Sequence, residues 1–278
     1  MNDVVCIGPA TMDLTAFVNE FPLPDEITLA HWYRLFCGGS SANVSVGLSR
    51  LGVPTGLISK VGKDSYGKTV LNMLRSERVD VSHVVISQKT SRAIILLNER
   101  GEKMIVADTA CMLKSEKELP VLYVQNAKAL YLGECYVEVA EKALDITQNM
   151  HQIVRLKNVH IASGLNLEKI FSNADYVIMN EKAYNRMKDS YENIIVTKGV
   201  TGCYYVKEDI TVNSFSVNTI DTTGAGDAFC AGFICKLLEK SPITEALQFG
   251  NAAGAVATTK YGAMESMPSK KEIALLMG

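Results

Sequence analysis

The sequence predicts an α/β protein built on a doubly wound, mainly parallel sheet, with a small accessory β-sheet. Three observations predict it. Short apolar runs alternate with stretches of helical spacing through the second half of the chain. The composition, 47% hydrophobic over 278 residues, can cover such a sheet on both faces. A hairpin pattern between Arg92 and Ala107 interrupts the alternation and reads as strands outside the main body.

Each element has its own signal. Val4 to Ile7 is a buried strand entering a turn at Gly8. After Phe21-Pro22-Leu23-Pro24, the segment Ile27 to Phe36 is rich in β-formers. Ser40 to Leu51 has helical spacing and stops at Gly52. Leu57 to Val61 is a strand, and Asp64 caps a helix reaching Ser76. Ala93 to Leu97 and Lys103 to Val106 flank Asn98-Glu99-Arg100-Gly101, the hairpin. Strands then fall at 129–133, 176–179 and 194–197, and helices at 137–149, 181–188, 224–239 and 244–260. No linker or repeat divides the chain, so residues 1–278 read as one domain.

Composition excludes several classes. A net charge of −2 argues against a general nucleic-acid or membrane-surface binder. No apolar run approaches the roughly 18 residues of a membrane span. Seven cysteines with no C-x-x-C pair, and four scattered histidines, argue against a zinc site. The odd cysteine count and the lack of a signal-peptide pattern predict a cytoplasmic location.

The chemistry concentrates in Asp221-Thr222-Thr223-Gly224-Ala225-Gly226-Asp227. Small residues at a helix start expose N–H groups that can converge on an anion, aided by the helix dipole. A carboxylate one residue on suits phosphoryl transfer: N–H groups of Ala225, Gly226 and Asp227 for the transferring group, Asp227 to take the hydroxyl proton. An ordinary Gly-rich turn with Asp227 capping the helix fits the residues equally well. A second motif, Cys37-Gly38-Gly39-Ser40-Ser41-Ala42-Asn43, leads from a β segment into a helix. Its glycines allow close approach to a ligand, and Asn43 can donate to and accept from hydroxyls; the alternative is a plain turn with Ser40 as N-cap. There is neither a G-x-x-x-x-G-K-[ST] loop nor a G-x-G-x-x-G turn after the first strand, which argues against a dinucleotide-dependent oxidoreductase.

Gly38-Gly39-x-x-Ala42-Asn43 with Leu51-Gly52, and the 221–227 stretch almost letter for letter, resemble the two signatures of the ribokinase-like (PfkB) carbohydrate kinases. Gly8 to Asp13 and Gly62-x-Asp64-x-x-Gly67 fit as well. The resemblance implies an ATP- and Mg2+-dependent kinase acting on a hydroxymethyl group, with Asp227 as base beside Gly224, Ala225 and Gly226. It implies a β lid from about 14–37 and 90–107, and a homodimer through that lid. Asp13, Gly38, Gly39 and Asn43 would bind substrate, although Asp13 could instead be a turn carboxylate capping Thr15. Asn180, Thr197, Gly199, Gly202 and Asn251 would line the nucleotide site, Asn251 reading equally as an ordinary polar helix position. A K+ site would involve Asp221, Thr223, Ala257, Lys260, Gly262 and Ser266.

Two departures stand out. Asn180-Glu181-Lys182-Ala183 puts Ala183 where the family's N-x-x-E has its magnesium-organising glutamate. The segment 150–174 is short and lacks an Asp-Pro or Asn-Pro step. Ala183 is the argument for a non-catalytic binding member. The Phe-Pro-x-Pro step and Met179-Asn180 are similar to archaeal-type nucleoside kinases, which favours a nucleoside over ribose, fructose or ketodeoxygluconate. His31, Trp32, Tyr33 and Phe36 could stack on a base, or could be lid core or a dimer contact. Arg92 reads as a pocket-mouth residue or a solvated hairpin residue.

Overall fold

The computed structural model describes residues 2–108, 111–162, 165–187 and 190–278. The chain begins with β1 (Val4–Ile7), β2 (Thr11–Val18), β3 (Ala30–Gly38), α1 (Ser40–Arg50), β4 (Thr55–Gly62), α2 (Ser65–Ser76) and β5 (Val84–Ser87). The hairpin β6 (Arg92–Asn98) and β7 (Lys103–Ala107) follows, then α3 (Val121–Gln125), β8 (Ala129–Leu132), α4 (Val137–Asp145) and β9 (His151–Arg155). The rest is α5 (Asn158–Ala162), α6 (Glu168–Asn173), β10 (Tyr176–Asn180), α7 (Glu181–Tyr184), β11 (Ile194–Thr197), β12 (Cys203–Tyr205), β13 (Ile210–Val212), α8 (Ala225–Leu238), α9 (Ile243–Ala257) and α10 (Lys270–Met277).

Nine strands form one sheet in the order β13-β12-β11-β10-β9-β8-β1-β4-β5. All neighbours from β11 to β5 are parallel, and only β12 and β13 run antiparallel at one edge. Every residue of β1 and β8 is buried, as expected of strands covered on both faces. Parallel strands put all their C-terminal ends on one edge, where ligands of open α/β sheets bind. Here that edge collects Gly8, Glu134, Arg155, Asn180 and Thr197.

The second sheet has the order β3-β2-β6-β7; β2 and β6 pair in parallel and the outer pairs are antiparallel. It is built from the β-rich segment (β3), the hairpin (β6 and β7) and β2, a strand that the sequence pattern did not announce.

Helix boundaries moved inward. The helix expected over 137–149 ends at Asp145, that over 244–260 ends at Ala257, and that over 181–188 is one turn, Glu181–Tyr184, with residue 188 outside the described set. The strand β9 had no counterpart in the sequence reading. Asp64 caps α2 as expected: its Oδ1 accepts from the Gly67 N–H at 2.8 Å. The N-cap of α1 is Gly39, not Ser40.

α8 is buried on all sides from Asp227 to Cys235, as a helix without a polar face must be. It packs against α1 and α9. A Cβ on Gly47 would lie 2.7 Å from the Ala231 methyl, so α1 and α8 approach as closely as backbones allow there. One turn nearer their N-termini the same two helices carry Asn43 and Asp227.

Candidate active site

Asp227 lies in the first turn of α8 and is 6% exposed. Both of its oxygens are held. Asn43 Nδ2 donates to Oδ2 at 2.7 Å, and the Arg155 guanidinium forms an ion pair with Oδ1. A buried carboxylate needs such partners to remain charged. The bonds come from α1 and from the end of β9, so Asp227 is fixed in position, not merely capping a helix end. Asn43 Oδ1 is buried without a partner.

The N-cap of α8 is Gly224, in the left-handed region at φ 83°. The Ala225 N–H donates to Thr222 O at 3.3 Å and the Asp227 N–H to Gly224 O at 2.9 Å. Both thus bond to carbonyls of the loop, and among the described residues the Gly226 N–H has no such acceptor. A Cβ on Gly226 would lie 3.1 Å from Arg155 Cζ, which places the guanidinium over the helix start.

The residues expected on the substrate side converge on the same place. Asp13 is in β2, 7% exposed, and its Oδ1 accepts from Thr11 Oγ1 at 2.7 Å; it does not cap Thr15. Burial is the main cause that raises its carboxyl from the usual 3.8 to about 6, against the opposing Thr11 hydrogen bond and the Lys157 charge. Gly38 is required by contact: a Cβ there would lie 2.6 Å from Asp13 Cγ. Gly39 has φ 94°, and its carbonyl accepts from the Asn43 N–H at 2.8 Å.

Three charged residues that the motifs did not reveal complete the cluster. Glu134 follows β8, and Lys157 and Arg155 follow or end β9. Lys157 pairs with Glu134, which also accepts from Ser40 Oγ. Burial pushes the Glu134 carboxyl up, but the Lys157 charge and hydrogen bond and the Ser40 hydroxyl outweigh it and hold it at about 2. Charged residues at the C-terminal ends of parallel strands were the signal available in the sequence; the short, mixed run His151–Arg155 hid the strand itself.

From the second sheet, Lys103 Nζ donates to Thr222 Oγ1 at 3.2 Å, and Thr222 Oγ1 donates to Gly101 O at 2.9 Å. Burial draws the Lys103 ammonium down to about 8, Asp221 opposes this, and Arg155 and Lys157 add to it. The hairpin tip is therefore docked on the 221–224 loop. Trp32 meets Tyr261 edge-on at 5.2 Å, while Phe17 stacks on one side of Trp32 at 5.4 Å and Arg34 lies 4.8 Å from its ring centre. His31 leans on Phe17, Tyr33 is 66% exposed, and Arg92 is exposed.

The residues expected on the nucleotide side sit mostly along the ends of β10 and β11. Asn180 caps α7, its Oδ1 accepting from Ala183 N–H at 2.9 Å. Thr197 Oγ1 donates to Met179 O at 3.3 Å, and Gly199 and Gly202 have φ of 59° and 102°. The Asn251 amide donates to Val212 O and Asn213 O at 3.0 and 3.2 Å, which ties α9 to the end of β13. Buried Asp221 draws two loops together, accepting from Thr223 N–H at 2.8 Å and Gly262 N–H at 3.0 Å. Ser266 Oγ donates to Ala263 O, and Lys260 turns to Glu272. Ala257 ends α9 beside them. Among the described residues no three His, Cys, Asp or Glu side chains gather where they could hold a metal. No described helix is long and apolar enough to cross a membrane.

Comparison with known proteins identifies the family and the fold. The model of the pfkB family carbohydrate kinases matches residues 1–270. A ribokinase of Haemophilus influenzae is 28% identical over 96% of this chain and 95% of its own. A nucleoside kinase of Methanocaldococcus jannaschii, an archaeal member of the ribokinase family, superposes with a TM-score of 0.83 at 23% identity, covering 100% of this chain and 98% of its own. An Arabidopsis thaliana ribokinase complexed with ribose and ATP superposes with a TM-score of 0.81 at 20% identity, covering 99% and 98%.

Proposed function

Because the chain belongs to the pfkB family of carbohydrate kinases, we propose that it transfers a phosphoryl group from ATP to a hydroxymethyl group of a small sugar-like acceptor, with Asp227 as the base. The observation that carries this reading is Asp227 itself. It is buried at the start of α8 and held on two sides, and its partner Asn43 lies in the helix that follows Gly38, the residue packed against Asp13. Asp13 and the unpartnered Asn43 Oδ1 are acceptors suited to hydroxyls. The N–H of Gly226, without a loop acceptor, and the helix dipole favour the transferring group. Such a pinned carboxylate has little purpose in a non-catalytic binder, and this argues against that alternative.

A free sugar is favoured over a nucleoside as acceptor. One face of Trp32 is covered by Phe17, and Arg34 lies over the same ring, so the largest ring of this cluster is already engaged. Curated ribokinase relatives point the same way. ADP release would be measured with ribose, fructose, ketodeoxygluconate, adenosine, inosine, guanosine and cytidine, each with magnesium and with or without potassium. Turnover with one sugar supports the reading. Turnover with a nucleoside alone rejects the acceptor, and no turnover despite ATP binding rejects the kinase.

Magnesium, when bound with the nucleotide, would supply charge compensation; no described cluster of carboxylates offers it a protein-built cage. The loops joined by Asp221 fit a potassium ion better, since backbone carbonyls of Thr223, Ala257, Lys260, Gly262 and Ser266 lie on the segments that its carboxylate draws together.

Asp13 gives this reading a pH dependence. Only the ionised carboxylate accepts two hydroxyls, so acceptor KM should rise as pH falls through about 6. Asp13→Asn should bind the acceptor weakly at every pH and flatten that dependence. The sign for stability is opposite: a carboxyl raised by folding favours the folded state on acidification from 6 towards 3.8.

The second sheet supports a homodimer. Leu35, Leu14, Ile94 and Val106 stand side by side across its four strands and are 37–73% exposed. A continuous apolar row of this kind fits a second copy of the same face. Leu14→Glu should shift the sedimentation of the protein to the monomer at micromolar concentration; an unchanged species would reject this interface.

A further inference from the structure

We propose that Arg155 is a catalytic residue whose guanidinium contacts the transferring phosphoryl group and stabilises it as it passes from nucleotide to acceptor. The inference rests on the kinase reading above and adds a residue that neither signature contains. Its first support is position. Arg155 ends β9, beside β10 where the nucleotide-side residues begin, and on the other flank of β9 stands β8 with Glu134 on the acceptor side. It therefore sits between donor and acceptor.

The second support is contact. The guanidinium touches the two groups that define the path of the phosphoryl: it forms an ion pair with Asp227, and its carbon lies 3.1 Å from where a Cβ of Gly226 would be. A guanidinium carries five donors in a planar fork, and one carboxylate oxygen does not use them all. The Gly226 N–H, without a loop acceptor, and the fork of Arg155 thus lie next to each other, beside the carboxylate that takes the proton.

The third support is charge. Two of the three loop N–H groups at the start of α8 are occupied by loop carbonyls. The backbone by itself offers few donors there. Arg155 at the end of β9 and Lys157 just after it lie close enough to Lys103 on β7 to draw its ammonium down. Mutual repulsion of that kind is relieved when an anion enters. Lys157 is committed to Glu134, and Lys103 to Thr222. Arg155 is the member of the set against the reacting groups.

The step is an in-line displacement. The acceptor oxygen forms a bond to the γ-phosphorus as its proton passes to Asp227. The bond from phosphorus to the β–γ bridging oxygen breaks, and its electron pair leaves with ADP. Arg155 donates to the equatorial oxygens throughout and gains strength as charge builds on them.

The test compares Arg155→Met and Arg155→Lys with the parent protein, using ADP, ADP with aluminium fluoride, and the acceptor on which the parent turns over. ADP affinity reports that each variant is folded. Arg155→Met should lose about 10²–10³-fold in kcat with ATP KM changed by less than about fivefold. The loss should persist on the high-pH plateau, where Asp227 is ionised with or without its partner. Arg155→Lys should recover only part, since an ammonium lacks the fork. Aluminium fluoride should tighten ADP binding to the parent and not to Arg155→Met. If Arg155 served only to hold Asp227, the Met variant would show a displaced acidic limb and a normal plateau, and aluminium fluoride would tighten ADP in both; that result overturns the proposal. A parent that never turns over but whose aluminium fluoride effect depends on Arg155 would sink the kinase reading and leave the phosphoryl contact standing. If aluminium fluoride tightens neither, Arg155 has no such role.

Discussion

Asp227→Asn is expected to lower kcat by about 10³-fold while ADP and acceptor still bind. The substitution preserves shape and removes the basic oxygen that would accept the acceptor's proton. It also disturbs two contacts in a readable way. Asn43 now gives an N–H to Asp227 at 2.7 Å. Its Oδ1 is buried and without a partner, so Asn43 can turn its amide and accept from the new one. Arg155 loses an ion pair but keeps a carbonyl oxygen to bond. The structural loss should therefore be modest, about 1–3 kcal/mol as for a charge-assisted bond made neutral. Turnover assays beside a thermal melt separate the two effects. Retention of more than about a tenth of the activity would mean that the carboxylate is there for Arg155 and the helix start, not for proton transfer.

Gly39→Ala should destabilise the protein by about 2–4 kcal/mol, since a positive-φ position and a tight contact each cost a few kcal/mol. Gly39 holds φ 94°, which an L side chain resists. The added methyl would also lie 2.7 Å from Ala10 Cα and closer still to the Pro9 carbonyl. These are backbone atoms and cannot swing away. The Pro9 carbonyl accepts from Ala42 N–H, and the Gly39 carbonyl accepts from Asn43 N–H, so the strain falls on the first turn of α1, the turn that aims Asn43 at Asp227. Chemical denaturation should show the loss, and acceptor KM should rise with it. Unchanged stability would mean that the β3–α1 corner relaxes freely and that Asn43 is positioned from elsewhere, such as the close Gly47–Ala231 contact.

The parts of the molecule legible in the sequence were those encoded locally. Gly224 to Asp227 announced a helix start because small residues followed a β-rich stretch, and α8 formed one residue past Gly224. The hairpin at 98–101 and the β-rich stretch before it announced a second sheet, which exists. What stayed hidden is encoded across distance. β9 is five residues of mixed character, and only its neighbours β8 and β10 make it a buried strand. Arg155 meets Asp227 across 72 positions of sequence, and Glu134 meets Lys157 across two strand ends. No periodicity records such pairings. The bonds of Asn251 to the end of β13 were equally invisible, since a polar residue on a helix does not say what lies opposite it. Helix ends were overrun at Asp145, Tyr184 and Ala257 because apolar spacing continues past the last hydrogen-bonded turn.

The docking of Gly101 and Lys103 on Thr222 has a consequence for how two ligands would know of each other. The hairpin belongs to the sheet that carries Asp13, while Thr222 belongs to the loop that starts α8. A ligand that lifts or presses the hairpin shifts the loop, and a ligand that seats on the loop loads the hairpin. Linkage makes such influence mutual: whatever factor one partner imposes on the affinity of the other is returned in full. The two half-sites proposed above would thus be parties to one equilibrium, and a dissociation constant for either would have meaning only at a stated concentration of the other.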